Sequence, residues 1–383
     1  MRRPVIRLAT RIFAPEVGAA AFRERVLADA LAACGAQVEV LTSIPPAGHA
    51  PYDDGELRVR RWPALRDAGG NIRGYVQYLS YDLPLLVRML SRRPADAYVV
   101  EPPPTTGAVM RLVATVHRRP YVWYAADVWS EAAGAAGAPA VLVRALRLVE
   151  SAVIRGARLV LAISDEVAAK VQDLGARPDQ VLVVGNGIDT GIFRPDGEAA
   201  TAPSPYFVYT GTMSEWQGAG VFVEALARHR ARGHDSRLVF LGQGSELPRL
   251  QALAEQVAPG AVDFLGVVPP TESARHIRGA VAALVSIKPG LGYDFAKPTK
   301  MYAATGCGIP VIFAGQGASE ELVRSEALGW VSPHDPDAVA DALDAAVTGS
   351  GRPDPEHLVA WTEANASLVA KARVAAEAIL DRI

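Results

Sequence analysis

The chain has 383 residues, half of them hydrophobic and 21% charged, with a formal net charge of −2. That length exceeds one ordinary core and fits two domains, and the near-neutral balance argues against a dedicated nucleic-acid binder. The charge is uneven: residues 1–190 carry 23 basic and 19 acidic side chains, the remainder 16 and 22, so the first half either meets an anionic acceptor or membrane surface or merely has a basic solvated face. Cys34 and Cys307 form no metal or redox spacing, which points to a reducing compartment, the cytosol. No apolar run reaches the roughly 20 residues that cross a bilayer. Arg7 and Arg11 interrupt the N-terminal run, which reads as a first strand and not as a signal peptide.

Val5 to Ala9 reads as a strand. The small-residue loop through Gly18 and Ala19 leads to a helix over 20–34, with Phe22, Val26, Ala30 and Ala33 on its apolar face and Arg23, Glu24 and Arg25 mostly off it. Val38 to Leu41 completes a βαβ unit whose first loop offers amides to an anion, although the three-glycine dinucleotide fingerprint is absent. A hairpin is expected around Leu57 to Trp62, then a helix over 76–90 interrupted or restarted at Pro84. Strands at Ala97 to Val100 and Tyr121 to Tyr124 open onto Glu101 and onto Asp127, Trp129 and Glu131. Ligands bind outside the carboxyl ends of strands in open parallel sheets, so these four side chains stand at the right edge. The alternative reading has Asp127 capping a helix and Glu131 solvated.

Pro139 to Arg158 is a helix with Arg144, Arg147, Arg155 and Arg158 among apolar residues. It either lies on a membrane or, the favoured reading, covers a core with its arginines in water. Ser164 caps the next helix. Val181 to Val184 reads as a buried parallel strand ending at Gly185-Asn186-Gly187, a turn between two α/β halves where a hinge and an interdomain cleft are expected, the alternative being an ordinary βα turn inside one large domain. The second half repeats the grammar. Strands at 206–209, 237–241, 262–265 and 282–287 end respectively in Gly211-Thr212, Gly242-Gln243-Gly244, Gly266-Val267 and Lys288-Pro289-Gly290. Lys297-Pro298-Thr299-Lys300, a helix and Gly306-Cys307-Gly308 follow, and an Ala-rich helix after Pro355 closes the chain. The pattern specifies two successive doubly wound α/β units.

These motifs, in this order, resemble the retaining nucleotide-sugar glycosyltransferases of family 4, which have the GT-B architecture of two Rossmann-like domains facing across a cleft. PEVGAAAFR (15–23) and DVWSE (127–131) resemble a bacterial polysaccharide subgroup that includes amino-deoxysugar transferases. Asn-Gly-Ile-Asp at 186–189 is similar to the family's hinge. GQGSE, FLGVVP, KPTK, GCGIPVI and Glu321-Leu322-Val323 are similar to its donor-binding pattern. The resemblance implies an acceptor-binding domain over 1–187, a donor-binding domain over 188–365, and a terminal helix over 366–383 packing back on the first.

It also implies donor contacts at Gly18, Ala19, Asn186, Gly211, Thr212, Gly244, Gly266, Val267, Asp294, Lys297, Lys300 and Glu321. Glu101 and Trp129 would meet the acceptor, and Asp127 and Glu131 would serve catalysis. No metal and no cofactor beyond the donor is implied, because amides, cations and helix ends would stabilise the departing diphosphate. The partners would be a nucleoside diphosphate sugar, UDP-linked, and a glycan, lipid-linked or small-molecule acceptor, in the cytoplasm with peripheral contact at the inner membrane face. The family's paired glutamates fall at Phe295 and Ala303, and its Arg and Lys fall near Thr212 and Gln217. The Lys-Pro-Thr-Lys loop is left to supply the cations. The competing readings are a related epimerase or cyclitol-coupling catalyst, and a non-catalytic nucleotide-sugar-binding partner protein.

Overall fold

The computed structural model describes residues 2–16, 18–46, 53–67, 70, 72, 74–135 and 137–383. The chain divides into two compact units, Met1–Asn186 with Leu368–Ile383, and Gly187–Ser367.

The first unit runs β1 (Val5–Ala9), α1 (Ala19–Ala33), β2 (Gln37–Ser43), β3 (Arg58–Trp62), α2 (Tyr75–Leu90), β4 (Ala97–Val100), α3 (Pro104–His117), β5 (Tyr121–Ala125), α4 (Trp129–Ala135), α5 (Ala140–Gly156), β6 (Leu159–Ala162), α6 (Asp165–Asp173) and β7 (Val181–Val183). Its seven strands lie in the order β3-β2-β1-β4-β5-β6-β7, every neighbouring pair parallel. The chain leaves β1 for β2 on one side and returns through β4 on the other, which makes a switch point between β1 and β4. Strand side chains alternate between two apolar layers. Tyr98 and Val100 join Tyr81, Leu85, Met110, Val113 and Ile154 of α2, α3 and α5. Ala97 and Val99 join Leu27 and Leu31 of α1 on the opposite face.

The second unit runs β8 (Tyr206–Thr210), α7 (Gly220–Ala231), β9 (Arg237–Leu241), α8 (Leu247–Val257), β10 (Val262–Phe264), α9 (Pro270–Gly279), β11 (Ala283–Ser286), α10 (Lys300–Gly306), β12 (Val311–Ala314), α11 (Ala318–Ser325), β13 (Gly329–Ser332), α12 (Pro336–Thr348) and α13 (Pro355–Ala366). Its all-parallel sheet has the order β10-β9-β8-β11-β12-β13, so the switch point lies between β8 and β11. A last helix, α14 (Leu368–Leu380), belongs to the first unit, where Ala375, Ala376 and Ile379 are fully buried with Leu27 and Leu31 of α1. Both units are therefore Rossmann-like doubly wound domains.

Several expectations are corrected. Residues 58–62 form no hairpin. They pair parallel with β2, where Glu39 gathers Arg7 of β1, Arg60 of β3 and Arg92 from the end of α2. Pro84 neither interrupts nor restarts α2, which is continuous through it. The expected buried strand at 181–184 is a half-exposed edge strand over Val181–Val183, and only Val184 after it is buried. The closing helix is two, broken at Ser367, whose backbone bridges to Ile188. On α1 the buried face is Ala21, Arg23, Glu24, Leu27, Ala28 and Leu31, one step away from the expected stripe. Arg23 is there because it meets Glu101 at 2.7 Å, while Glu24 lies 3.9 Å from Arg23 with neither carboxyl oxygen hydrogen-bonded. Strand β13 has no sequence signature of its own, being short and half polar. Gly329 fits there because a Cβ would lie 1.9 Å from the Val311 carbonyl oxygen.

Truncating Ile379 to Ala should cost about 2–4 kcal/mol by opening a cavity against α1. Val374→Ala, on the exposed side of α14, should change stability by less than about 0.5 kcal/mol. Urea unfolding of the two variants checks this pair of outcomes.

Candidate functional site

In the second unit, the loops after β8, β9 and β10 come together through their backbones. Gly211 N donates to Leu241 O (2.7 Å), Gly242 N to Gly266 O (2.7 Å), Met213 N to Gln243 O (2.9 Å) and Glu246 N to Met213 O (3.1 Å). Gly242 has φ +128°, and a Cβ there would lie 2.0 Å from Gly211 O; at Gly244 it would lie 2.0 Å from Met213 O. Side chains are thus excluded, and a ligand arriving at this edge meets main chain. Tyr209 fixes the first loop by donating its hydroxyl proton to Thr212 O at 2.9 Å.

Lys300, the first residue of α10, completes this edge at the β8/β11 switch point. Its Nζ lies 3.5 Å from the centre of the Tyr209 ring, and its Cε is 3.7 Å from where a Gly211 Cβ would be. The ammonium nitrogen is buried and has no hydrogen-bond partner. Burial pushes it well below the ordinary lysine range. Lys300 as a residue is partly exposed, but its charged nitrogen sits inside against the Tyr209 ring face. A buried cation without a counter-charge, beside a loop without side chains, is arranged for an anion.

The other expected donor residues are distributed as follows. Gly211, Thr212 and Val267 are exposed and Gly244 and Gly266 half-buried, all at this edge. Lys297 is exposed three residues before Lys300. Asp294 is engaged at the start of α11: its carbonyl accepts from Ala318 N at 2.9 Å and its Oδ2 from Gln316 Nε2 at 3.3 Å. Glu321 is exposed on the first turn of α11 beside Glu320, which pairs with Arg324. In the first unit Gly18 precedes α1, which no side chain caps, and a Cβ on Gly18 would meet nothing within 4 Å. Ala19 is the first, exposed residue of that helix. Asn186 is half-buried next to Gly185, whose φ of +76° sets the turn.

Two residues that the sequence passed over change the chemistry of the second unit. Gln217 is buried and accepts from Ser214 N (3.2 Å) and Ser214 Oγ (3.1 Å), so it shapes the loop. Trp216 stacks on Tyr293 with ring centres 4.7 Å apart, and Tyr293 on Phe295 at 6.5 Å. Aromatic faces therefore stand at and next to two of the positions that depart from the family pattern. A pocket of 320 Å³ toward β12 and β13 is lined by Pro289, Gln316, Glu320, Arg324, Ser332 and His334 among others, and by none of the expected donor residues.

The first unit corrects two expectations, on Glu101 and on the cap of α4. Glu101 does not project toward an acceptor: it is buried, with Oε1 accepting from Thr10 Oγ1 and Oε2 from Arg23 Nη2, both at 2.7 Å. Glu131 is exposed on the first turn of α4 and pairs with Lys170 of α6 at 2.6 Å. Asp127 does not cap α4: among the described residues its Oδ1 accepts the adjacent Val128 N (2.8 Å), while Glu150 of α5 takes Trp129 N, Ser130 N and Ser130 Oγ. Asp127 is left exposed two residues beyond β5, at the carboxyl edge of the sheet. Trp129 meets Tyr78 edge-on at 5.5 Å, and the Arg11 guanidinium lies 4.3 Å over the Tyr78 ring. Under this edge Glu24 is fully buried, its carboxyl held well above the usual range by burial and by the neighbouring Glu101.

Among the described residues, His229, His234 and Asp344 could hold a metal, their donor atoms lying within 4.8 Å of one another. Their contacts are already closed. His229 Nδ1 pairs with Asp344, its Nε2 with Ser236 Oγ (3.0 Å), and Arg232 takes the other Asp344 oxygen at 2.6 Å. The group joins the end of α7 to α12 and locks the two helices together.

Comparison with known proteins follows this division. Residues 18–187 match the model described as a glycosyl transferase 4-like domain, and residues 204–348 match the one described as glycosyl transferases group 1. The chain is 31% identical over 204 residues to the D-inositol 3-phosphate glycosyltransferase of Acidothermus cellulolyticus, covering 49% of this chain and 44% of that protein. It spans about half the length of the curated relatives it matches. Among solved structures, sucrose-phosphate synthase from Thermosynechococcus elongatus superposes with a TM-score of 0.78 at 17% identity, covering 99% of both chains. Anabaena HepE in complex with UDP and glucose gives 0.70 at 16% identity, covering 99% of this chain and 100% of that one.

Replacing Lys300 by Met keeps the stem and removes the buried charge. The ligand-free protein should gain about 1 kcal/mol, in the manner of a site that trades stability for binding. The sign with pH is fixed. The folded pKa is depressed, so between it and the ordinary lysine range the unfolded chain holds more protons, and wild-type stability rises with pH across that interval. Lys300→Met should lack this rise, which shows in the difference between the two pH–stability curves.

Proposed function

We propose, on the premise that the chain belongs to the family 4 glycosyltransferases with the GT-B fold, that it moves a sugar from a nucleoside diphosphate donor to an acceptor hydroxyl. The observation that carries this reading is the buried, unpartnered Lys300 ammonium beside the side-chain-free loops at Gly211, Gly242 and Gly244. A diphosphate supplies the missing counter-charge. Its oxygens accept from loop amides, and the charge that grows as the sugar–phosphate bond breaks is met by Lys300. The reaction is a same-face substitution. The acceptor oxygen bonds to the anomeric carbon, the bond from that carbon to the phosphate oxygen breaks, and the acceptor proton passes to the departing phosphate. The anomeric carbon is oxocarbenium-like midway. No metal is invoked.

UDP is the proposed nucleotide, supported by the UDP named in the HepE complex. The acceptor is a glycan, a lipid-linked sugar or a small polyol, a class supported by the D-inositol 3-phosphate named for the Acidothermus relative. Asp127 is the proposed catalytic carboxylate of the acceptor-binding domain: it is exposed at the strand edge, and its one recorded bond is to its own neighbour. A second reading, a nucleotide-sugar-binding protein without turnover, is favoured by one observation: Thr212 and Gln217 stand where the family carries cations, and Gln217 is committed to its loop.

A thermal-shift screen with UDP, GDP, dTDP and ADP and their sugar conjugates tests the binding half, since a ligand of the folded state raises the melting temperature by mass action. UDP-sugars should shift the wild type, and Lys300→Met should lose the shift. No shift with any nucleotide defeats the proposal. Asp127→Asn should keep the shift and lower sugar transfer by at least about a hundredfold. Wild-type binding without transfer to any acceptor supports the second reading, and donor conversion without acceptor points to an epimerase.

A further inference from the structure

Beneath the carboxyl edge of the first sheet lies a buried group that the transfer reading leaves unused. Glu24 of α1 is 0% exposed, and neither of its carboxyl oxygens has a hydrogen-bond partner. The adjacent cation is committed elsewhere: Arg23 Nη2 is spent on Glu101, and Arg23 Nε, itself unpartnered, stays 3.9 Å from Glu24 Oε1. Glu101, directly after β4, is buried as well. Two carboxyl groups thus stand against one guanidinium out of solvent. An uncompensated buried carboxylate is costly, and two carboxyls at one site do not both ionise. The hydrogen bonds are short by one proton too. Thr10, at the end of β1, has one hydroxyl proton and two acceptors in range, Glu101 Oε1 at 2.7 Å and Ile12 O at 2.8 Å. One proton on the pair supplies the missing donor. Resting on Glu24 it is given to Glu101, which lies within hydrogen-bond reach; resting on Glu101 Oε1 it is given to Thr10, whose own proton then serves Ile12.

The pair sits where three elements meet. Glu24 follows Gly18 and Ala19 by about one and a half helical turns, while Thr10 and Glu101 directly follow β1 and β4, on the two sides of the switch point. From β5 the Tyr124 ring faces the cluster, with the Arg23 guanidinium 5.1 Å over its centre, and from α2 the Tyr81 hydroxyl reaches Thr10 O at 3.0 Å. Helix α14, packed on α1, brings Lys371 beside Gly185 and the Arg373–Glu377 ion pair. Strand β2 meets α1 through Val38 and Val40. Burial and the Glu101 charge hold the Glu24 carboxyl well above the usual range, so it stays neutral where solvated carboxyls ionise. With the proton gone, two carboxylates would face Arg23 alone. Relief then requires Glu24 to leave the interior, which takes the start of α1 away from the ends of β1 and β4.

We propose that Glu24 and Glu101 hold one proton between them, and that this proton is the latch fastening the start of α1 to the ends of β1 and β4. The latch is independent of the transfer reading and is measured without substrate. Glu24→Gln keeps the shape and a neutral donor. Infrared difference spectra of the full chain at neutral pH should show a protonated-carboxyl carbonyl band in the wild type and not in this variant. The folded carboxyl keeps its proton to higher pH than the unfolded one, so its contribution to stability is complete below the ordinary carboxylate range and is lost as pH rises through the folded value. Relative to Glu24→Gln, the wild-type folding constant should therefore fall by up to about tenfold per pH unit across that interval. Lys300 titrates in both proteins and cancels in the difference. Amide exchange along α1, corrected for its intrinsic pH dependence, should accelerate with pH in the wild type and not in the variant. Absence of the band overturns the shared proton. A band accompanied by parallel pH–stability curves and equal exchange overturns the latch. A variant less stable than the wild type at every pH also overturns it, since a neutral amide would then fail to replace a neutral carboxyl.

Discussion

The second unit is organised by the closeness of its own main chain. At the β8/β11 switch point three loops share backbone hydrogen bonds so tightly that a single Cβ at Gly242 or Gly244 would overlap a carbonyl. That closeness has two effects. It satisfies polar groups that would otherwise need side chains or water, and it leaves a rigid edge that a ligand can approach to within hydrogen-bond distance of the backbone. Lys300 is held to this edge by the Tyr209 ring, and Tyr209 in turn holds the Thr212 carbonyl. One aromatic residue thus positions both the loop and the charge. The ammonium is destabilised by burial, so an anion bound beside it would regain that cost on binding.

The first unit handles charge in the opposite way, by pairing it internally. Arg23 reaches Glu101, Glu101 takes Thr10, and Arg66 binds Glu16 at 2.8 Å together with the carbonyls of Ile44 and Gly70. These bonds pin the segment before Gly18 and the ends of β1 and β4, so the strand edge is fixed before any ligand is present. With Glu101 and Glu150 consumed by the scaffold, Asp127 is the carboxylate left at the end of β5. Helix α14 contributes from the far end of the chain, since without Ala375, Ala376 and Ile379 one side of α1 would be bare.

Periodicity and turn residues made most of the architecture legible. The apolar runs at 97–100, 121–125, 159–162 and 237–241 are buried parallel strands, and the glycines at 211, 242, 244 and 266 sit where those patterns end. What stayed illegible depends on partners distant in sequence. The residues at 58–62 look like a hairpin because the alternation Arg-Val-Arg-Arg-Trp suits one; only Glu39 and Arg7, on strands elsewhere in the chain, make them a parallel edge strand. Arg23 and Glu24 belong on a solvated face by type; Arg23 is buried because Glu101 receives it, and Glu24 is buried beside that pair against the Glu101 charge. The cap of α4 comes from Glu150, about twenty residues beyond the helix it serves. Lys300 was recognisable as a cation by resemblance, but neither its burial nor its place on Tyr209 is encoded by local spacing.

The missing family cations acquire a physical reading from the same geometry. A second ammonium at Gln217 would enter a buried loop whose polar groups are already matched, with no ring or carboxylate shown to receive it, and an uncompensated buried charge is among the costliest changes a fold can carry. Gln217 offers a neutral acceptor instead, and Ser214 uses it twice. Nearby, Trp216 and Tyr293 stack into a flat apolar surface beside the glycine loops. The edge has exchanged long-range attraction for main-chain donors, one desolvated lysine and aromatic faces. Such a site draws ligands from a shorter distance, because fewer charges project into water. It holds them by contacts that act only once water is displaced, where each hydrogen bond and the single Lys300 charge count for more.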